Sequence, residues 1–391
     1  MDFSLSDEQV AFRAAARQFA ERELAPHAAH WDAEQIFPKD VIRQAGELGF
    51  CGLYTPERDG GLGLSRLDSS LVIEQLAYGC TSTTAFITIH NMALWMIASF
   101  ADEALKSQWC PTLVTGEKLA SYCLTEPNAG SDAASLATVA RKRGDSYELS
   151  GTKVFISGAG DTDVLVVMAR VQDEKGVRAG AGGVSSFLVP GDTPGVSYGR
   201  KEAKMGWNSQ PTRQINFDGA RIPAGNRLGA EGDGFKIAMK GLDGGRINIA
   251  TCSIGTAQAA LDRSAVYLTE RTQFGRPLAE FQGLQFKLAD MATELVAARQ
   301  LVRLAAWKLD QGDPEATTYC AMAKRFATDA GFDVCNQALQ LHGGYGYIRE
   351  YPLERHVRDT RVHQILEGTN EIMRVIISRR LLMEGLTEVI Q

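Results

Sequence analysis

A chain of 391 residues with 45% hydrophobic content is long enough for two or three packed domains. Its net charge of −6 argues against a surface built for nucleic acid, which needs a concentrated basic stripe. The seven cysteines form no CxxC pair and the six histidines no HExxH pair, so a disulfide framework and a zinc centre are not expected.

Met1-Asp2-Phe3-Ser4-Leu5 is acidic and leads straight into an amphipathic pattern, unlike an Arg-rich transit peptide. Ser6 is a predicted N-cap for a helix in which Val10, Phe12, Ala16, Phe19 and Ala20 recur at three- and four-residue intervals, ending before Pro26. A second helix is expected after Pro38, with Val41, Ile42, Ala45 and Leu48 inward and Gly49 as its stop. Past a Gly60–Gly63 loop come apolar helices near 67–78 and 84–100 and a shorter one over 102–114. No apolar run reaches the roughly 18 residues of a membrane span, so no membrane insertion is expected.

The texture changes between Gly116 and Gly232, where Gly and Pro are dense and short β-rich runs appear: 154–156, 164–168, 186–189 and 214–217. Turn signals at Arg143-Gly144-Asp145 and Pro194-Gly195 suggest an antiparallel barrel or sandwich. From Phe235 the pattern is helical again, over about 233–270, 282–311, 314–341 and from 371. The order helices, sheet, helices predicts an α+β, mostly α architecture with divisions at 1–120, 121–232 and 233–391, and not a doubly wound α/β fold. Gly60-Gly61-Leu62-Gly63 follows no strand and Gly343-Gly344-Tyr345-Gly346 follows a helix, so neither is a dinucleotide-binding strand-to-helix turn. Three glycines within Gly241-Leu242-Asp243-Gly244-Gly245-Arg246 weaken a helix by about 1 kcal/mol each relative to alanine, and predict a kink or the close approach of a ligand.

Near the C-terminus, Ile365 and Leu366 precede Glu367, Gly368 frees the backbone, and Thr369 can cap the following helix. A carboxylate among apolar neighbours has its charged form disfavoured, so its pKa rises, which suits a base acting on a weakly acidic C–H bond. The competing reading of the same residues is a solvent-facing capping glutamate.

Three stretches in this order, Tyr122–Asp132 (Tyr-Cys-Leu-Thr-Glu-Pro-Asn-Ala-Gly-Ser-Asp), Gln340–Gly346 and Gln364–Glu371, resemble the signatures of the acyl-CoA dehydrogenase family of flavoenzymes. The likeness extends from Phe3–Gln9 through Pro56–Gly63 and Glu270–Gly275 to the end of the chain. It implies an N-terminal helical domain, a middle β domain and a C-terminal four-helix bundle, with FAD as cofactor and an acyl-CoA thioester as substrate. Glu367 is then the catalytic base. Tyr122, Leu124 and Thr125 would line the flavin, with Ser131 beside flavin and substrate, and Phe155, Ile156 and Ser157 as a strand edge against the ring. Most members carry Trp where this chain has Phe155. Arg271, Gln273, Phe274, Phe281 and Gln282, with Gln340, Gly343 and Gly344, match segments that reach the cofactor's pyrophosphate and adenosine, usually those of a neighbouring subunit, which implies a homotetramer. Thr369 and Glu371 would also face the cofactor. Asp243, Gly244, Gly245, Arg246, Leu366, Gly368 and Arg379 are the implied substrate contacts. In some members the catalytic glutamate stands at the position of Gly245, so here that position would leave room for a branched acyl chain.

Within the family, Gly206–Arg213, Gly245–Ala250 and Arg361–Glu367 are most similar to members acting on isobutyryl-CoA, in valine breakdown, with electron-transferring flavoprotein as the electron acceptor. The alternatives are 2-methylbutyryl-CoA or butyryl-CoA as substrate, an oxidase on the same fold, or a DNA-associated flavoprotein, against which the acidic balance argues. The expected location is the bacterial cytoplasm, or the mitochondrial matrix for a processed eukaryotic chain.

Overall fold

The computed structural model describes residues 4–173 and 176–384. The first helix, α1 (Asp7–Phe19), begins with a capping box in which the Ser6 hydroxyl accepts from the Gln9 N–H and the Gln9 side chain accepts from the Ser6 N–H. It passes into a π-helical turn, Ala20–Leu24. Then come α2 (Ala28–Glu34), α3 (Lys39–Glu47), α4 (Arg66–Gly79), α5 (Thr81–Phe100) and α6 (Glu103–Val114). On α3, Ile42 and Ala45 are buried as expected, but Leu48 is exposed, because the helix ends at Glu47 and Gly49 turns the chain at φ +82°. By length and composition α5 could cross a membrane, contrary to the sequence reading. Its side chains are mostly buried within this fold, and His90 and Asn91 on it hydrogen-bond to backbone groups of neighbouring segments.

The strands are β1 (Ala120–Cys123), β2 (Val139–Arg143), β3 (Ser146–Ser157), β4 (Val164–Asp173), β5 (Gly176–Val177), β6 (Val184–Pro190), β7 (Val196–Tyr198), β8 (Thr212–Pro223) and β9 (Arg227–Leu228). They form one nine-stranded sheet whose main path is β7-β8-β3-β2-β4-β6-β9. Pairing is antiparallel except that β1 and β2 both run parallel to β4, which corrects the purely antiparallel expectation. Val164 to Ala169 of β4 are all buried, as a central strand covered on both faces requires. One side packs with α5 and α6 in a shared apolar cluster (Met92, Ile97, Leu113, Val166, Leu188), the other around Tyr147, Leu165, Phe187 and Ile215.

The 37-residue α7 (Gly234–Glu270) follows, then the small ribbon β10 (Thr272–Gln273) and β11 (Arg276–Pro277). The chain continues through α8 (Gln282–Asp310), α9 (Ala316–His342), α10 (Gly344–Tyr347), α11 (Leu353–Arg361) and α12 (Asn370–Glu384). Small residues let α7, α8 and α9 approach closely: Ala250, Ala257, Ala298, Ala305, Ala323 and Ala327 share one buried cluster. The helices α2, α10 and α11 were not anticipated. All seven cysteines are buried and free.

Candidate active site

α7 runs unbroken through Gly241, Gly244 and Gly245, so the glycines do not interrupt it. They admit neighbours instead. A Cβ on Gly241 would lie 1.9 Å from Met96 Cε, one on Gly244 2.4 Å from Arg66 Nη1, and one on Gly245 2.1 Å from Glu367 Oε2. The space beside Gly245 is therefore filled by the Glu367 carboxylate, where the sequence reading had left room for a branched acyl chain.

Glu367 reaches that position through a strained turn. Its φ is +54° and that of Gly368 is +90°. Among the described residues, Gln35, Phe155, Trp207, Phe274 and Glu367 are the non-glycine residues with positive φ. Three of them are sequence-predicted site residues, in keeping with the tendency of such strain to gather at functional sites. Before the turn, Ile365 and Leu366 N–H groups donate to Val362 O. After it, the Thr369 hydroxyl accepts from Ile372 N–H at 3.3 Å and caps α12, as anticipated.

Burial pushes the Glu367 carboxyl up to about 7, although Lys324 and Arg246 pull it down. Its Oε2 is shut from solvent without a hydrogen-bond partner. This is the environment of a base and not of a capping glutamate facing water. Arg246 is buried and pairs with Asp243 at 2.6 Å, and Asp243 Oδ2 accepts from the Thr317 hydroxyl at 2.7 Å. Arg246 Nε, Arg66 Nη1 and the Tyr122 hydroxyl are likewise buried and unpartnered, and the Arg66 guanidinium lies 3.5 Å from the Tyr54 ring centroid. Buried polar groups in native proteins are normally satisfied. A cluster of orphaned groups around one carboxylate fits a polar ligand that completes them.

The loop after β1 is built over a buried ion pair. Lys153 Nζ, on β3, donates to Leu124 O at 3.0 Å and to Glu126 Oε1 at 2.7 Å. Glu126 also accepts from the Ala137 and Thr138 N–H groups. Glu126 and Ala129 exchange main-chain hydrogen bonds, so these two amides are used internally, and the open run expected from Leu124 to Ser131 is interrupted. Val154 N–H donates to Thr125 O, which brings Thr125 against β3. Leu124 and Ile156 are buried, Thr125 and Ser157 half-buried, and Ser131 exposed. Phe155, beside them, stands 70% exposed at φ +58°. An aromatic ring held open at a strained strand position suits the flat apolar face of a flavin.

A second group gathers elsewhere. Arg271, Gln273, Gln340, Gly343 and Gly344 line one cleft of about 490 Å³. Phe274, 92% exposed, stands 6.1 Å from the Phe281 ring, and Arg271 lies over Tyr345. This cleft shares no lining residue with the surroundings of Glu367. Glu371 is exposed and lies 3.8 Å from Arg374, and Arg379 is exposed on α12. Leu366 packs against the N-terminal apolar cluster.

Sequence reasoning missed Lys324 and Arg66. A lysine among Ala321, Ala323 and Ala327, on the inward face of α9, was a signal, since an unpaired lysine is rarely buried. Arg66, just past the Ser65 cap, carried none.

Comparison with known proteins agrees with this geometry. The N-terminal, middle and C-terminal domain models of acyl-CoA dehydrogenase match residues 6–117, 121–220 and 232–382. A mitochondrial isobutyryl-CoA dehydrogenase of Bos taurus is 54% identical over 380 residues, covering 97% of this chain and 90% of the relative. That of Dictyostelium discoideum is 53% identical over 377 residues, with 96% and 90% covered. The structure of butyryl-CoA dehydrogenase from Megasphaera elsdenii superposes with a TM-score of 0.93 at 41% identity, covering 98% of this chain and all of that one. With the expected order of helices, sheet and helices, and a glutamate whose Oε2 is shut from solvent and unpartnered, the chain belongs to the acyl-CoA dehydrogenase family, whose members use FAD.

Proposed function

We propose that this enzyme dehydrogenates a short branched acyl-CoA thioester across its α,β-bond, converting isobutyryl-CoA to methacrylyl-CoA, with Glu367 as the base. The observation that carries the chemistry is the Glu367 carboxylate: buried, unpartnered at Oε2, and raised to about 7. Such a carboxylate is ionised in a useful fraction near neutrality yet basic enough to take a proton from carbon. The choice of isobutyryl-CoA is supported by the two relatives of that name at 54% and 53% identity.

In this reading Glu367 Oε2 removes the α-proton. Bound FAD would supply the acceptor for the β-hydrogen and its electron pair. The Glu367 main-chain N–H donates to the thioester oxygen and stabilises the charge that grows there as the proton leaves. Arg246, held by Asp243, and Arg66 offer unpartnered N–H groups at the rim of the same space. Tyr122, Leu124, Thr125, Phe155, Ile156 and Ser157 hold the flavin ring, with Ser131 where flavin and substrate meet.

The cleft lined by Arg271, Gln273, Gln340, Gly343 and Gly344 then receives the adenosine end of a partner subunit's FAD within a homotetramer. Arg271 suits a pyrophosphate because its planar fork binds two oxygens at once. Large apolar side chains left open on a single chain, Phe274, Phe286, Trp307 and Leu382, suit burial between subunits. Electron-transferring flavoprotein is the proposed acceptor, and the bacterial cytoplasm or mitochondrial matrix the proposed location.

Steady-state kinetics on a panel of C3–C6 acyl-CoA thioesters and octanoyl-CoA, with an artificial acceptor, test the assignment. Isobutyryl-CoA should give the highest kcat/KM, 2-methylbutyryl-CoA the next, and octanoyl-CoA little. Equal efficiency on butyryl-CoA and isobutyryl-CoA would leave a short-chain enzyme without branch preference. Glu367→Gln should bind FAD and thioester but turn over roughly 10²–10⁴-fold more slowly. A monomer by light scattering that still holds FAD tightly would overturn the subunit arrangement.

A further inference from the structure

The turn that carries Glu367 is gripped from one side by α9. Lys324 is fully buried, and its Nζ donates to Gly368 O at 2.8 Å and to Asn370 Oδ1 at 2.9 Å. The Asn370 amide donates to Asp329 Oδ1 at 2.7 Å and to the Thr328 hydroxyl at 2.9 Å. Ahead of Glu367, Gln364 Nε2 donates to the same Asp329 oxygen at 2.8 Å. Both flanks of the strained turn are thus tied to a short stretch of α9, and the lysine holds the carbonyl of the residue next to Glu367.

We propose that Lys324 is a positioning residue for the reaction: by binding Gly368 O and Asn370 it fixes the left-handed turn that aims Glu367 over Gly245. The inference rests on Glu367 being the base. A buried lysine without such a task is costly, since burial opposes its charge and lowers it to about 7. An apolar side chain would fill the same place at less expense in solvation. Its cation also faces Glu367 and holds that carboxylate below where burial alone would put it.

The other groups facing this pair are accounted for. Arg246 of α7 acts on Glu367 in the same direction but is engaged by Asp243. Tyr122 of β1, Tyr54 and Cys252 face Glu367 as neutral groups whose own ionisation burial opposes. Asp329 of α9 and Glu371 of α12 favour the lysine's charge, and buried His363 is kept neutral beside it. Removing the Lys324 cation therefore leaves Arg246, engaged by Asp243, and Arg66, set against Gly244 next to Gly245, as the cations near the carboxylate.

The test uses the FAD-loaded enzyme with Lys324→Met, Asn370→Ala and Glu367→Gln, reading flavin absorbance, thioester binding, kcat and its pH profile. Lys324→Met should keep flavin and thioester binding while kcat falls by about 10²-fold, the loss expected when a reacting group is misplaced by about 1 Å. The acidic limb of its kcat profile should move to higher pH, because the carboxylate has lost a cation that favoured its charged form. A purely structural lysine would leave that limb unmoved. Asn370→Ala removes one of the two acceptors but keeps the cation, so kcat should fall less and the limb stay in place. Wild-type kcat and pH profile in Lys324→Met, with Glu367→Gln inactive, would overturn the role of Lys324 alone. Should Lys324→Met fail to fold, an unchanged kcat in Asn370→Ala overturns the proposal and a reduced kcat with intact binding supports it. Normal turnover in Glu367→Gln would overturn the assignment of the base, and the positioning role with it.

Discussion

Glu126 and Glu367 are both buried carboxylates beside a lysine, yet the fold treats them in opposite ways. Burial pushes both upward. At Glu126 this is outweighed by Lys153 at 2.7 Å and by the Ala137 and Thr138 N–H groups, which hold the carboxyl below its ordinary range. At Glu367 the cations of Lys324 and Arg246 reduce the effect of burial without cancelling it, Oε2 has no donor, and the group settles near 7. The difference is direct hydrogen bonding: Lys153 binds its glutamate, whereas Lys324 binds the backbone next to its own. One pair ties a loop to a sheet. The other leaves a carboxylate ready to accept a proton.

Breaking the first pair should have the largest effect on stability. Lys153→Met leaves Glu126 buried without its counter-ion, a change that typically destabilises by about 3–5 kcal/mol. Thermal unfolding should show a large fall in Tm, with weaker FAD retention because Leu124 O loses the same donor. An unchanged Tm would mean that the Ala137 and Thr138 N–H groups suffice to hold Glu126.

At the second site the sign reverses. The folded-state pKa of Glu367 lies above the ordinary value of 4.5, so stability is greatest below that value and declines as pH rises through about 7. Glu367→Gln removes the ionisation and should therefore raise Tm at pH 8, by on the order of 1–3 kcal/mol in stability, and change little at pH 4. In the wild type the acidic limb of kcat/KM, which reports the free enzyme, should have its midpoint near pH 7. A midpoint near 4.5 would place Glu367 in water and erase the contrast with Glu126.

Some of this was legible in the sequence. Apolar flanks around Glu367 and the glycine after it left a base or a capping glutamate open, with Thr369 as the cap, and only the resemblance to the family chose the base. The long helices followed from apolar periodicity and the strands from β-rich runs between turns. What was missed has a common cause. In α11 the inward residues include His356, Asp359 and Thr360, so its buried face is polar and no apolar stripe marks it. The glycines of α7 looked like a kink because their reason is tertiary: Met96, Arg66 and Glu367 arrive from segments distant in sequence. Lys324 acts on a carbonyl 44 residues further along the chain, which no local pattern reveals.

The smallest expected effect isolates what the turn does for the base. Gly368 has φ +90°, a conformation that disfavours any side chain, and a Cβ there would crowd the flexible end of Met373 at 2.6 Å and make ordinary contact with Ile372 Cγ2 at 3.8 Å. Gly368→Ala should therefore lose about 1–2 kcal/mol, almost all of it backbone strain. Gly144, in the turn between β2 and β3, has φ +57° and open space around its would-be Cβ. Gly144→Ala imposes a similar backbone cost far from Glu367 in the fold's order of elements, so it serves as the matched control. If the turn exists to aim the carboxylate, the strain at Gly368 is relieved by shifting Glu367, and kcat falls well beyond the loss in stability. Gly144→Ala should lose comparable stability with kcat unchanged. Equal kcat in the two variants would show that Glu367 tolerates movement of its turn, and that its burial, more than its aim, makes it a base.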